Sequence, residues 1–375
     1  MRLGISCLWV GILAAGASPP TRAAEPWADP KLPVAAGLEL WFDAARLAAD
    51  GRPAPAAGQP VAVWPDASGR GRHLRQPSAP ARPTLVADGP GPLVRFDGED
   101  DHLRFAGPAA DLEAVTAFVV AVPRANPGGF RGLVAFNAPG RRDYESGLNI
   151  DQGPDGSAEF DYLNVEGRGL SGARNLFRGR RPFGPLYTIE VQVDAGVVRA
   201  AVDGTATLER PRKPGAVSMA EVTVGARFPD AGPGPQEVRS FLTGDIAEVL
   251  VYSRVLAPAE VTAVRGYLAA KHAKLREALA VVRGTPLVRV ADPPPVQVFL
   301  PGFAVRELPV DLPNVNNVRY RPDGALVALC YNGDVYLLRD TDGDGLADKA
   351  ELFWDNKGRL VAPVGMALTP PGYKH

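Results

Sequence analysis

Cysteine is almost missing: Cys7 and Cys330 are the only two in 375 residues. If Cys7 leaves with a cleaved leader, no disulfide can form within the mature chain, and the fold must hold by packing alone. Histidine is nearly as scarce. His73, His102, His272 and His375 are scattered without metal-ligand spacing, and no Ser-His-Asp or Cys-His arrangement can be assembled around them. Neither sign of charge is in excess, since 41 Lys and Arg face 42 Asp and Glu for a formal net charge of −1. Nothing resembles the basic stripe that neutralises phosphates, which argues against a nucleic-acid partner. Long apolar runs are lacking as well. Ile5 to Ala14 falls short of the ~20 residues a membrane span needs, so no transmembrane helix is expected in the mature chain.

That short apolar run has a different reading. Arg2 precedes it, and Pro19, Pro20 and the small residues Thr21-Arg22-Ala23-Ala24 follow it. The order is that of a secretory signal peptide over residues 1–23, cut after Ala23 or earlier after Ala17, and it predicts a secreted, periplasmic or cell-surface protein. With 46% apolar residues, 41 glycines and 38 prolines, the rest suits many short strands joined by tight turns. Leu38–Phe42, Val61–Trp64, Leu93–Phe96 and His102–Phe105 read as strands. Val115 to Val122 is nearly continuous in apolar residues, as a central strand buried on both faces should be. Tyr187 to Val193 alternates, and Val197 to Val202 and Thr205 to Leu208 follow, with Asp203-Gly204 between them as a type I′ hairpin signal. Phe241 to Tyr252 is the last strand of this series. Pro258 then opens a helix whose Val261, Val264, Leu268, Leu275, Leu279 and Val282 keep helical spacing up to a capping Gly284. This helix is expected to run unbroken, its second half extending away from the strands. Pro293-Pro294-Pro295 marks a stiff boundary, beyond which Asn314–Tyr320, Leu326–Tyr331 and Val335–Leu338 are short strands separated by turns. That rhythm suits a β-propeller blade, yet about 80 residues remain where several blades of roughly 40–50 residues are needed. The reading therefore expects the front part of a longer polypeptide.

The sharpest chemical motif is Asp340-Thr341-Asp342-Gly343-Asp344-Gly345-Leu346-Ala347-Asp348-Lys349-Ala350-Glu351. It matches the calcium-loop pattern at every position, with Asp340, Asp342, Asp344, Asp348 and Glu351 as carboxylate ligands and the Leu346 carbonyl as a further one. Strand rather than helix precedes it, so the expectation is a Ca²⁺ loop inserted in a blade, against a merely solvated acidic turn. Asp97, Glu99, Asp100 and Asp101 form a second acidic turn, open between solvation and another Ca²⁺. A glycosidase would need two carboxylates across a sugar. Glu159 and Asp161 share a strand face, but Leu163 stands where the acid belongs and Glu166 turns to the other side, so no catalytic residue is assigned. Trp41, Trp64, Phe160 and Tyr162 are open between core packing and stacking on sugars. Arg178-Gly179-Arg180-Arg181 is open between a solvated loop and an acidic-polysaccharide contact. His102, His272 and Cys330 read as packed side chains.

Leu93-Val94-Arg95-Phe96-Asp97-Gly98-Glu99-Asp100-Asp101-His102-Leu103 resembles the early signature of laminin-G-like, concanavalin A-type jelly rolls. Gly244-Asp245-Ile246-Ala247-Glu248-Val249-Leu250-Val251-Tyr252-Ser253-Arg254, with Pro258-Ala259-Glu260-Val261 behind it, resembles their closing strand and helix. Glu39–Asp43 and Trp64–Gly69 match the opening strands. The resemblance implies two stacked antiparallel sheets, often with calcium and a carbohydrate or protein ligand at the rim. From Pro301 to Asp340 the chain is similar to the opening of propellers related to quinoprotein glucose/sorbosone dehydrogenases. That likeness implies a quinone cofactor (PQQ) only if further blades exist. The expected architecture is all-β: residues 24–284 a two-sheet antiparallel jelly-roll sandwich with one C-terminal helix, 285–295 a Pro-rich linker, 296–375 an incomplete propeller. The expected function is extracytoplasmic recognition of a glycan or protein. The alternatives are the N-terminal part of a quinone-cofactor sugar dehydrogenase and a structural surface adhesin.

Overall fold

The computed structural model describes residues 23–48, 53–87, 89–108, 110–230, 237–280, 306, 308–360, 363 and 365–367. Residues 1–22 of the expected leader, Gly284, the triple proline, Pro301-Gly302-Phe303 and His375 lie outside them. Two compact units divide between Pro286 and Leu287. Among the described residues no helix is long and apolar enough to cross a membrane.

The first unit is mostly β, two antiparallel sheets packed as a sandwich. Sheet I has eight strands. Thr205–Pro211, Val197–Val202, Tyr187–Val193, Val115–Pro123, Thr243–Tyr252, Leu93–Asp97 and Thr84–Val86 follow one another across it, and Leu38–Asp43 pairs beside Leu93–Asp97 on the far half of Thr243–Tyr252. Sheet II runs Asn164–Gly167, Leu148–Asp151, Gly132–Asn137, Glu221–Val224, Leu103–Ala106, Leu74–Arg75 and Val63–Trp64. The Asp203-Gly204 hairpin forms as expected, with φ of 51° and 74°, both positive as a type I′ turn requires.

The central strands of sheet I are buried on both faces. Val115, Ala117, Val119 and Ala121 point into the inter-sheet core with Trp64 and Phe136, while Phe118, Val120 and Val122 point the other way, into a second core with Trp41 and Tyr252. That second core is roofed by Val264, Leu268 and Leu275 of the closing helix. Each such buried aliphatic side chain contributes roughly 1.5–3 kcal/mol. The expectation of one unbroken helix pointing away is corrected here. It splits into Pro258–Lys271 and Ala273–Leu279 at His272 (φ −99°, ψ 14°), and the second piece folds back onto the sheet. The cause is a buried acceptor: His272 Nε2 lies 2.8 Å from Glu248 Oε2, and beyond the break Arg276 donates to the Leu186 carbonyl and to Asp203. A further short helix, Asp143–Ser146, interrupts the strand series of sheet II.

The second unit is a four-stranded antiparallel meander, Val315–Tyr320, Leu326–Cys330, Val335–Arg339 and Lys349–Trp354. Its fourth strand follows the acidic loop directly. Cys330 is buried and its thiol is pushed up by that burial.

Candidate functional site

In sheet II, side chains alternate between the core and the outer face. Leu148, Ile150, Val165, Val134, Phe136, Val222, Val224, Leu103, Leu74 and Trp64 take the core positions. Their neighbours therefore face outward, and the register sets them in one row across the sheet: Glu166, Asn149, Ala135, Thr223, Arg104, Arg75, Val63. A second row carries Asn137, Glu221 and Ala106. The outer face is thus polar at both ends with small side chains between, and the two ends differ in what covers them.

At the Glu166 end the row is closed. Arg227, 3% exposed, donates to Asp143 Oδ1 at 2.9 Å, to Asp151 Oδ2 at 3.2 Å and to Glu166 Oε2 at 3.4 Å. Asn164 Nδ2 bridges Asp151 (3.0 Å) and Glu166 (3.3 Å). Asn149 completes the set with its amide nitrogen toward Asp151 Oδ2 and its oxygen toward Arg227 Nη2. Three carboxylates thus surround one guanidinium, so full ionisation would leave net negative charge in a dry site. Burial, with the Glu166 charge adding to it against Arg227, pushes the Asp151 carboxyl up to about 7. The same carboxylates outweigh desolvation at Arg227 and hold its guanidinium above the usual range. Phe130 and Tyr144 stack on Arg227, and the Phe228 N–H donates to Asp143, sealing the cluster. Tyr162 stays half-buried at its edge, close over Gly153; at that glycine (φ +77°) a Cβ would fall 2.4 Å from the ring.

At the Arg75 end the row is open. A groove of about 520 Å³ is lined there by Val63, Arg75, Arg82, Arg104, Ala106 and Glu221 among others. Arg104 Nη2 meets Glu221 Oε2 at 2.7 Å, and its guanidinium lies 4.3 Å over the Phe228 ring. Glu221 also accepts from Asn137 Nδ2. Gln76 sits buried at the wall, its amide nitrogen against the His102 ring, and burial with Arg104 nearby holds that imidazole below its usual pKa, hence neutral at pH 7. The groove size falls within the ~300–1,000 Å³ common for small-ligand sites.

The residues singled out in the sequence separate cleanly. Trp41, Trp64 and Phe160 are core side chains at 0–1% exposure; Trp41 donates Nε1–H to Glu248. Arg180 reaches Glu159 at 3.6 Å, and Asp161 accepts from Ser157. Glu166 instead shares two donors with Asp151, Asn164 Nδ2 and Arg227 Nη1, an association that the sheet register sets by placing Asn164 opposite Asp151. The acidic turn brings Asp97, Asp100 and Asp101 within 4.8 Å of one another but not Glu99; burial, then Asp97, pushes Asp101 up to about 6.

In the second unit, Asp340, Asp342 and Asp344 converge with carboxylate oxygens within 4.8 Å of one another. The loop is turned by its own acids: Asp340 accepts from the Gly343 and Gly345 N–H groups, and Asp344 from that of Leu346. Asp348 is engaged by Thr341 through both N–H and hydroxyl, and Glu351, on the following strand, pairs with Lys349 at 2.6 Å. The Gly343 and Gly345 N–H groups hold Asp340 below the usual range, the Thr341 hydroxyl and N–H hold Asp348, and Lys349 holds Glu351. The unit has a single four-stranded sheet, and a quinone site drawn from several blades is not represented among the described residues.

No family model matches the chain, and no curated protein matches it. Similar solved structures include Trypanosoma rangeli sialidase in complex with sialic acid (14% identity, 64% of this chain, 34% of that chain, TM-score 0.42). They also include the botulinum neurotoxin type G receptor binding domain (10% identity, 62% and 52%, TM-score 0.40). The binding domain of botulinum neurotoxin DC in complex with SialylT is a third (8% identity, 63% and 52%, TM-score 0.41). The match spans about a third of the sialidase chain and about half of each toxin domain. The two-sheet architecture described above stands on the strand pairing itself.

Proposed function

We propose that the first unit is an exported, laminin-G-like recognition module that binds carbohydrate in the groove on the outer face of sheet II. The observation that carries this reading is the groove itself: hydrogen-bonding side chains, Arg104 and Glu221, stand beside small apolar ones, Val63 and Ala106. Sugars present hydroxyl edges and C–H faces, and such a wall matches both. Binding is favoured over hydrolysis because the carboxylates of Asp151 and Glu166, which stand together at the closed end of this face, are gripped by Arg227 beneath a roof of aromatic side chains. Titration of a panel of oligosaccharides into the full chain tests the reading, with Ala106→Trp as a groove-filling variant. Binding that Ala106→Trp removes supports it. A panel without binders, or binding untouched by the variant, overturns it.

The second unit is proposed to be a calcium-bearing propeller blade. Its meander is the blade pattern, and Val318, Tyr320, Leu352 and Phe353 stand 53–73% exposed on it, as on a surface that neighbouring blades would cover. The convergence of Asp340, Asp342 and Asp344 supports the calcium assignment, because close carboxylates repel one another without a cation.

A further inference from the structure

Arg75 and Arg104 are Cα partners on adjacent strands of sheet II, and both side chains take outward positions over the groove. Like charges set directly opposite one another destabilise a sheet unless something lies between them. Glu221 answers Arg104 only. Arg75 is exposed and forms no ion pair among the described residues. Arg82 brings a third guanidinium to the same groove, spending Nε and Nη2 on the carbonyls of Gln76 and Pro77 rather than on a carboxylate. Three guanidinium groups against one carboxylate leave the groove with an excess of two positive charges in a chain that is otherwise balanced. Arg104 also has unspent hydrogen-bonding capacity, since its Nε is buried without an acceptor.

We infer that the ligand of this groove is an anionic sugar, whose acid group sits between Arg75 and Arg104 while its ring packs on Val63 and Ala106. The inference rests on the carbohydrate reading of the groove and adds the substrate class. A guanidinium fork donates two parallel hydrogen bonds to a planar carboxylate or to a sulfate, which a neutral hydroxyl cannot reproduce. An anion there supplies Arg104 with an acceptor after a small swing of its side chain and cancels the repulsion from Arg75. Glu221 sets the discrimination: it occupies the inner side of Arg104, so the acid must arrive from the Arg75 side.

Calorimetry on the full chain tests this with three probes: a trigalacturonate, a sulfated galactose disaccharide and a neutral galacto-oligosaccharide. At least one anionic probe is expected to bind tenfold or more tightly than the neutral one. Its affinity should fall at least tenfold in Arg75→Ala, disappear in Ala106→Trp, and weaken between 50 and 500 mM salt as exposed charges are screened. Which anionic probe binds identifies the acid as carboxylate or sulfate ester. Arg75 is exposed, so its removal should leave the fold intact, and circular dichroism checks this. Equal binding of neutral and anionic probes, unchanged in Arg75→Ala but lost in Ala106→Trp, would overturn the charge inference while sparing the carbohydrate reading. Anionic binding undiminished in both variants, or no sugar binding at all, would overturn both.

Discussion

Glu248 is the residue on which the helix-to-sheet core turns, and replacing it with alanine should be costly. Its side chain is fully buried, accepting from Trp41 Nε1 at 2.7 Å, Lys271 Nζ at 2.7 Å and His272 Nε2 at 2.8 Å. Burial alone would raise its pKa, but His272 and Lys271 outweigh that and hold it below the usual carboxylate value. Asp43, sharing Lys271 at 2.6 Å, is pushed up by burial and by the Glu248 charge. Glu248→Ala leaves the Trp41 N–H without this acceptor and Lys271 with Asp43 as its remaining carboxylate, beside the Tyr267 hydroxyl. Breaking a buried pair of this kind costs about 3–5 kcal/mol. For a unit of this size, each kcal/mol moves the melting temperature by about 2–4 °C, so a drop of roughly 6–20 °C is expected. Glu248→Gln retains an acceptor for Trp41 and should cost less. Urea and thermal unfolding, followed by tryptophan fluorescence and far-ultraviolet circular dichroism, give the numbers. A loss under about 1 kcal/mol for Glu248→Ala would refute the claim that this cluster fastens the helix.

Two further outcomes are expected. Asp151 is raised to about 7, so the stability held by its protonated form is complete below its unfolded pKa of about 3.9 and is lost as pH rises through about 7. Between pH 6 and pH 8 this is worth about 1.4 kcal/mol, which urea midpoints at the two pH values would show, and a carboxyl carbon resonance titrating near 4 instead would contradict it. Calcium should give a calorimetric binding heat in the ~10⁻⁴–10⁻³ M range of extracellular modules, lost in Asp342→Ala and reduced in Glu351→Ala. If wild type shows no heat, or both variants match it, the loop is only a solvated turn.

What could be read in the sequence followed from chemistry that is local. Tyr187–Val193 and Val115–Pro123 of sheet I are rich in β-branched residues, and their alternation or continuity states which faces are buried. Asp203-Gly204 and the Asp340–Asp348 loop are contiguous motifs whose backbone demands fit in a few residues. Much of sheet II is harder to see. Leu148–Asp151 and Asn164–Gly167 carry Asn, Asp, Glu and Gly, types depleted from strands, because their outward positions hold the polar row. The Arg75–Arg104 opposition and the Asp151–Glu166–Arg227 cluster are products of register between distant segments, so no spacing announces them. The helix break belongs to the same class: His272 stops the first piece because Glu248, from another element, takes its ring.

The central claim, that the outer face of sheet II is where ligand binds, is tested most directly by a hydrogen-exchange footprint of the full chain. It is recorded with and without saturating trigalacturonate, or whichever sugar of the panel binds. Protection concentrated in Val63–Gln76, Arg104–Ala106 and Glu221–Thr223, the segments that form the groove, is the predicted result. Protection confined to the Asp340–Asp348 loop, to the Asp97–Asp101 turn or to the helix face of sheet I would contradict it.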